Sequence, residues 1–289
     1  MIAIAPDVLA LTPLVAAPEP TERERQVDLP ALKARYGGRL AIPLRTDRPT
    51  IVANFVSTLD GVVSYNTAEA AGGGEISGFF EPDRFVMGLL RGLADAVLIG
   101  AGTLRAAPDE RWTPSFVHPP SASRLAELRA ALGLRSQPLT AVVTASGAID
   151  LAHPGLADPG VRALIVTTDS GGRVLNAVGV PAHVDVRTTG AAVTPTDIVD
   201  ALAAQGAELV LCEGGPRLFG QLLEARLVDE LFLTVAPQVA GRSVDVPRLG
   251  LVEETAFDVA GAPWARLVDL RRAGDHLFTR YRYEWRTQA

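Results

Sequence analysis

A chain of 289 residues with 48% hydrophobic content has enough apolar mass for one large domain or two ordinary ones. Its 27 basic and 33 acidic side chains leave a net charge of −6 with no Lys/Arg block, which argues against a nucleic-acid or membrane-surface partner. The single cysteine, Cys212, excludes an internal disulfide framework and a multi-cysteine zinc site and fits a reducing cytoplasm, and no apolar run reaches the ~20 residues that span a bilayer.

Met1 to Ala17 is apolar, but it lacks a basic leading region and is interrupted by Pro6, Asp7 and Pro13, so it does not match a secretion signal. Residues 1–47 form an N-terminal extension that looks peripheral, polar from Pro18 to Gln26, with a short helix from Leu29 to Tyr36 stopped by Gly37-Gly38. From Thr50 onward strand and helix signals alternate. Ile51 to Val56 is the first strand, and Asp60-Gly61 is a hairpin turn signal leading into Val62 to Tyr65. Ala70 to Gly74 is a flexible glycine loop. Glu81-Pro82-Asp83 opens a helix whose apolar face is Phe85, Val86, Leu89, Leu90 and Leu93. The helical wheel puts Arg91 on the opposite, solvated side.

A strand from Ala94 to Ile99 exits into Gly100-Ala101-Gly102-Thr103. After a helix near Ser123 to Leu132 come two strands, at Ala141 and Leu164, each ending in small polar residues; Thr144 ends the first. Thr194-Pro195-Thr196-Asp197 resembles a capping box for a helix to about Ala204. The apolar run Glu208 to Cys212 then stops at Glu213-Gly214-Gly215-Pro216. Leu218, Phe219, Leu222 and Leu223 follow on one helical face, with Pro216 in the first turn. A strand from Leu231 to Ala236 is ended by Pro237, and strands near Arg266 to Leu270 and Leu277 to Tyr283 form an antiparallel pair at an edge.

This alternation predicts one α/β domain over residues 48–289, a mostly parallel sheet with helices on both faces. Ligands of such sheets sit at the carboxyl ends of strands, where Thr58 to Asp60, Gly100 to Thr103, Thr144 and Glu213 to Pro216 all fall. The Gly214-Gly215 turn offers bare backbone N–H groups and a positive helix end to an anion. Gly-Gly between a strand and a helix is also often a plain connection. Glu213 stands at the strand exit as a solitary carboxylate.

Several chemistries lack their motifs. Gly100-Ala-Gly102 has no third glycine, no helical pattern directly after it and no ribose-binding acid at the usual spacing, so it is not a Rossmann fingerprint. No Gly-Lys-Ser/Thr phosphate loop or Gly-x-Ser-x-Gly elbow occurs, and His118, His153, His183 and His276 match no metal spacing. Redox chemistry carried by a bound nucleotide needs none of these groups.

Asn54-Phe-Val-Ser-Thr-Leu-Asp60-Gly61, Leu89-Leu-Arg91-Gly-Leu-Ala-Asp95 running on to Gly100-Ala-Gly-Thr103, and Glu213-Gly-Gly-Pro216 occur in that order. Leu227-Val-Asp229-Glu230-Leu, Ala236-Pro237 and Gly241 follow. Over roughly Arg48 to Tyr283 this set resembles the reductase domain of bacterial riboflavin biosynthesis, which has a three-layer, dihydrofolate-reductase-like fold. The resemblance implies an NADPH-dependent pyrimidine reductase, a cytoplasmic homodimer that reduces the ribosyl group of 5-amino-6-(5-phosphoribosylamino)uracil. It implies cofactor contacts at Val56, Gly100, Gly102, Thr103, Thr144, Gly214, Gly215, Pro216, Arg217 and Leu218. Asn54, Arg91, Arg111 and Glu213 fall at substrate positions, and Asp60 and Glu213 are the candidate catalytic carboxylates. The zinc deaminase signature that often precedes such domains is absent, and no metal is implied.

The chain departs from that family at Asn54, where a lysine is usual. It departs again at Ala106-Ala-Pro108-Asp-Glu-Arg111-Trp-Thr113, which replaces an Asp-Asn-Pro-x-Leu-Thr-x-Arg pattern. A dihydrofolate- or pterin-type reductase and a non-catalytic nucleotide-binding protein therefore stand as alternatives. NADPH and NADH are both open, with Arg105 among the arginines available to a 2′-phosphate.

Overall fold

The structure, a computed structural model, describes residues 10–15, 21–67 and 72–285. Readings made for residues 1–9, 16–20 and 70–71 lie outside these. The first strands are β1 (Thr12–Val15), β2 (Glu24–Gln26), β3 (Ala41–Pro43), β4 (Thr50–Ser57) and β5 (Val62–Ser64). Then come β6 (Ala96–Gly100), β7 (Leu139–Thr144), β8 (Ala163–Thr167), β9 (Val184–Thr188) and β10 (Leu209–Cys212). The last are β11 (Glu230–Val235), β12 (Leu249–Gly250), β13 (Ala265–Ala273) and β14 (His276–Tyr283). The helices are α1 (Pro30–Tyr36), α2 (Gly74–Ser77), α3 (Glu81–Leu93), α4 (Ala101–Ala106) and α5 (Pro114–Val117). They continue as α6 (Ala122–Ala131), α7 (Pro154–Ala157), α8 (Asp169–Val178), α9 (Pro195–Ala204) and α10 (Pro216–Glu224).

A 10-stranded sheet runs in the order β1-β13-β14-β11-β4-β10-β6-β7-β8-β9. From β11 to β9 every neighbouring pair is parallel, and β14, β13 and β1 are added antiparallel. The central strands are apolar on both faces, as parallel strands covered twice must be. Alternation along each strand divides them between two cores. Val52, Val97, Ile99, Leu209 and Leu211 pack under α1, α3, α6 and α8, while Ile51, Ala53, Leu98, Val210 and Cys212 pack under α9 and α10. The predicted apolar stripe of α3, from Phe85 to Leu93, is wholly buried. Truncating Phe85 to alanine there costs about 3–5 kcal/mol.

The position of β10 makes the site. Its exit leads into α10 on one face, whereas the chain beyond the flanking β4 and β6 passes, through β5 and α2 and through α4 and α5, to α3 and α6 on the other. Connections that diverge to opposite faces leave a crevice at the strand ends, which is where such sheets hold ligands.

Four local features differ from the sequence reading. Asp60-Gly61 does turn the chain, with Gly61 at φ +79°, but β5 pairs with β12 and not with β4 as a hairpin would. The late strand pair is not the sheet edge, because β1 covers β13. Leu11, Leu32, Tyr36 and Ile42, from the segment that looked peripheral, lie in the main core. Arg25 of the same segment donates Nη1 to Leu93 O at 2.9 Å and to Asp95 Oδ2 at 2.8 Å. Gly74, placed in a loop, begins α2. No helix among the described residues is long and apolar enough to cross a membrane.

Candidate active site

Two helices begin side by side at the ends of β6 and β10. Gly100 is the N-cap of α4, which follows β6 directly, so the expectation that no helix follows this segment is corrected. Six residues are too few to show a 3.6 period, which explains why the pattern was silent. Gly215 is the N-cap of α10, with Pro216 in its first turn. Gly214 is required by packing: a Cβ there would lie 2.7 Å from Leu218 Cδ2, 3.3 Å from Gly100 N and 3.4 Å from Ile99 Cα. A Cβ at Gly215 would lie 3.4 Å from Thr103 Oγ1, so that hydroxyl stands between the two helix starts.

Gly100 and Gly102 are different. A Cβ on either meets nothing within 4 Å, and neither has a positive φ. Internal packing does not demand glycine at these two positions, and the space above them is open. Positive helix ends, free N–H groups and room for close approach together suit a phosphate-bearing ligand.

The remaining cofactor candidates are placed as follows. Val56 is buried, and a Cβ on Gly73 would come within 2.8 Å of its Cγ1. Thr144 is buried at the end of β7, its hydroxyl accepting from Gly147 N at 3.2 Å. Leu218 is buried beneath the turn. Arg217 points to the surface and donates Nε to Glu254 Oε1 at 2.6 Å.

On the α3 face of the same strand ends lies a polar cluster. Arg91 is 2% exposed, not solvated as the wheel predicts. Its Nε donates to Glu213 at 3.1 and 3.2 Å and its Nη2 at 2.7 Å, while Nη1 donates to Glu110 Oε1 at 2.8 Å and to Arg111 O at 3.1 Å. Burial opposes the charge on Arg91, but the Glu213 and Glu110 carboxylates hold its pKa above the ordinary value. Burial pushes the Glu213 carboxyl above its usual range, with Arg91 pulling against it. The guanidinium thus ties α3, the end of β10 and the 110–113 loop together. Arg111 contributes its carbonyl to this knot and leaves its side chain exposed.

Asp60 is built differently. It is exposed, and its carboxylate accepts from Thr58 Oγ1 at 2.6 Å, Ala240 N at 3.1 Å and Gly241 N at 2.7 Å. The Thr58 hydroxyl first, and then the backbone N–H groups, hold its pKa down to about 2. A group so fully ionised near neutral pH pins the 240–241 loop and is poorly suited to donate a proton.

Sequence reasoning passed over Asp83 and Glu110. Asp83, read only as part of a helix opening, is 6% exposed and its pKa is pushed up to about 6, chiefly by burial. A signal existed: residue 83 shares a helical face with Val86 and Leu90, so an acid sat on the stripe predicted to be buried. The histidines serve structure. His118 is buried against Glu81, His153 accepts from Gly155 N at 3.0 Å, and His183 and His276 bond to the carbonyls of Leu156 and Ser77.

The RibD C-terminal domain family matches residues 49–271. Among solved structures, a pyrimidine reductase-like protein from Corynebacterium diphtheriae is similar at 24% identity, TM-score 0.67, covering 89% of this chain and 100% of that one. A diaminohydroxyphosphoribosylaminopyrimidine deaminase/5-amino-6-(5-phosphoribosylamino)uracil reductase from Thermotoga maritima is similar at 21% identity and TM-score 0.61, covering 82% of this chain. The chain spans 57% of that enzyme's length. RibD from Acinetobacter baumannii gives 19% identity and TM-score 0.61, over 83% of this chain and 59% of its own. At these identities the structures show a shared fold. No curated protein sequence matches the chain.

Proposed function

Since the chain belongs to the RibD C-terminal domain family, we propose that it is an NADPH-dependent reductase of a ribosylamino-pyrimidine or a related heteroaromatic compound. One observation carries the cofactor half: α4 and α10 start together beneath open space, over Gly100 and Gly102, with the Thr103 hydroxyl between them. Bound there, NADPH supplies a hydride. Gly215 and the first N–H groups of α10 would hold the pyrophosphate, Thr103 would add a hydroxyl, and the Val56 backbone would serve the nicotinamide end. Thr144 and the glycines at 100 and 102 line the rest of the path.

The Arg91–Glu213 pair fixes the wall of the substrate side, and Asp60 keeps the 240–241 loop in place. Asn54 faces this side without the charge of the family's usual lysine. A substrate of pterin type is the second reading, and that substitution is the observation favouring it. The same proposal makes the protein a homodimer of the riboflavin pathway, which sedimentation of the purified chain checks. Turnover is tested by following loss of nicotinamide absorbance with 5-amino-6-(5-phosphoribosylamino)uracil and, separately, with dihydropterins. Consumption that requires one of these compounds supports the proposal; NADPH binding with no turnover of any of them points to a binding protein.

A further inference from the structure

Arg91 directs its guanidinium donors into the protein. Nε and Nη2 go to Glu213, while Nη1 goes to Glu110 Oε1 at 2.8 Å, Arg111 O at 3.1 Å and Thr113 O at 3.4 Å. Its two carboxylate partners are not equivalent. Glu213 ends β10 with its side chain 7% exposed, whereas Glu110 comes from the loop after α4 and keeps 27% of its side chain exposed. Glu110 is therefore the solvent-side cap of a guanidinium that is itself 2% exposed.

The sign of this wall follows from its members. One guanidinium faces two carboxylates, which leaves an excess negative charge. Asp83, which the Glu213 charge helps to raise, adds to that excess whenever it is ionised. Asn54 is buried and its amide is neutral. Arg129 is engaged by the carbonyls of Arg91, Gly92 and Ala94 at the far end of α3, and the Arg111 side chain is exposed. A phosphate brought to such a wall meets like charge where a free guanidinium fork would have gripped it. A neutral heterocycle meets no such repulsion.

Resting on the reductase reading above, we propose that Glu110 determines specificity: by capping Arg91 it closes the substrate side to phosphate and leaves it to a heterocycle that carries none. This narrows the substrate class. The phosphorylated ribosylamino-uracil is the poorer substrate, and its form without phosphate, or a dihydropterin, is the better one. Glu110 acts through Arg91 and takes no part in the hydride transfer. It discriminates by keeping an attractive cation out of reach, which is selection against the wrong ligand and adds no contact to the right one.

The first readout needs no turnover. Calorimetry follows ribose 5-phosphate, with ribose as the probe lacking the anion, and compares the parent with Glu110→Ala, so that phosphate taken by the helix starts in both proteins cancels. Glu110→Ala uncovers Arg91 Nη1 and is expected to bind ribose 5-phosphate about tenfold more tightly than the parent, with ribose unchanged. Glu110→Gln removes the charge but keeps an acceptor for Nη1, so its gain is expected to be smaller, about threefold. Should Glu110→Ala fail to fold, that smaller gain decides the matter. In turnover, NADPH consumption is compared with 5-amino-6-ribosylaminouracil and with its 5-phosphate. The parent kcat/KM is expected to favour the compound without phosphate by about tenfold, and Glu110→Ala to erase most of that ratio through the KM of the phosphorylated one. A merely structural Glu110 would move both compounds alike. A parent that prefers the phosphorylated compound, a ratio unmoved by Glu110→Ala, or equal ribose 5-phosphate binding by the parent and both variants would each overturn the assignment. No NADPH consumption with either compound would instead overturn the reductase reading, while the ribose 5-phosphate titrations still decide the role of Glu110.

Discussion

Arg91 and Glu213 meet across the gap between α3 and the end of β10 in three contacts of 2.7, 3.1 and 3.2 Å, with side chains 2% and 7% exposed. Neither residue type is stable alone at such depth. Removing one partner of a buried pair strands the other charge, so Arg91→Met is expected to cost about 3–5 kcal/mol. Urea unfolding checks this, and Glu213→Gln, which keeps the volume and an acceptor, is expected to cost less.

The four glycines of the paired helix starts separate stability from binding. Gly214→Ala puts a methyl against Leu218 and the β6 backbone and is expected to lower Tm. Gly102→Ala enters open space inside a helix and is expected to hold or raise stability, by up to about 1 kcal/mol. The same substitution is expected to weaken NADPH binding. Melting curves and nucleotide titrations of the two variants give the comparison.

Much of this architecture is legible in the sequence because the central strands are continuous apolar runs and α3, α9 and α10 carry clear stripes. The crevice at the strand ends follows from that alternation alone. Short or interrupted elements were not legible: α4 spans six residues, and α8 begins Asp-Ser-Gly-Gly, which suggests a loop. Arg91 was misplaced because a wheel records which helix face is apolar and not whether a carboxylate waits across the other. The turn at Asp60 was visible, but its backbone partners lie 180 residues onward and have no local signal.

Asp83 predicts an inverted pH dependence of stability. Its folded pKa of about 6 lies above the ordinary carboxylate value near 4. Between these values the folded chain holds a proton that the unfolded chain has released, and as pH rises through 6 the buried charge destabilises the fold. Asp83→Asn is therefore expected to be more stable than the parent at about pH 8, by on the order of 2 kcal/mol, with the difference vanishing toward pH 4. Denaturant midpoints across that range test the sign.

Asp60→Ala is expected to speed amide exchange at Ala240 and Gly241, which lose their acceptor. Because the Asp60 pKa lies near 2, its contribution is present above the ordinary carboxylate range and is lost only as pH falls toward 2. Exchange rates in parent and variant are expected to differ by the same factor at pH 5 and pH 8, after correction for intrinsic exchange.

The Cys212 thiol, fully buried and pushed up to about 12 chiefly by burial, is expected to resist a thiol reagent in the native protein and to react once in denaturant. Rapid native labelling would show that the end of β10 opens.

The central claim is the nucleotide site, and Gly215→Asp probes it most directly. Aspartate is a favoured N-cap and the position has φ −59°, so α10 is expected to form as before, with circular dichroism and Tm unchanged. The new carboxylate stands beside Thr103, where the proposed function would put the pyrophosphate. The parent is expected to bind NADPH in a nicotinamide-fluorescence titration, and the folded variant to lose that binding by about a hundredfold or more. NADPH binding of equal strength in both proteins, or none in the parent, would contradict the account.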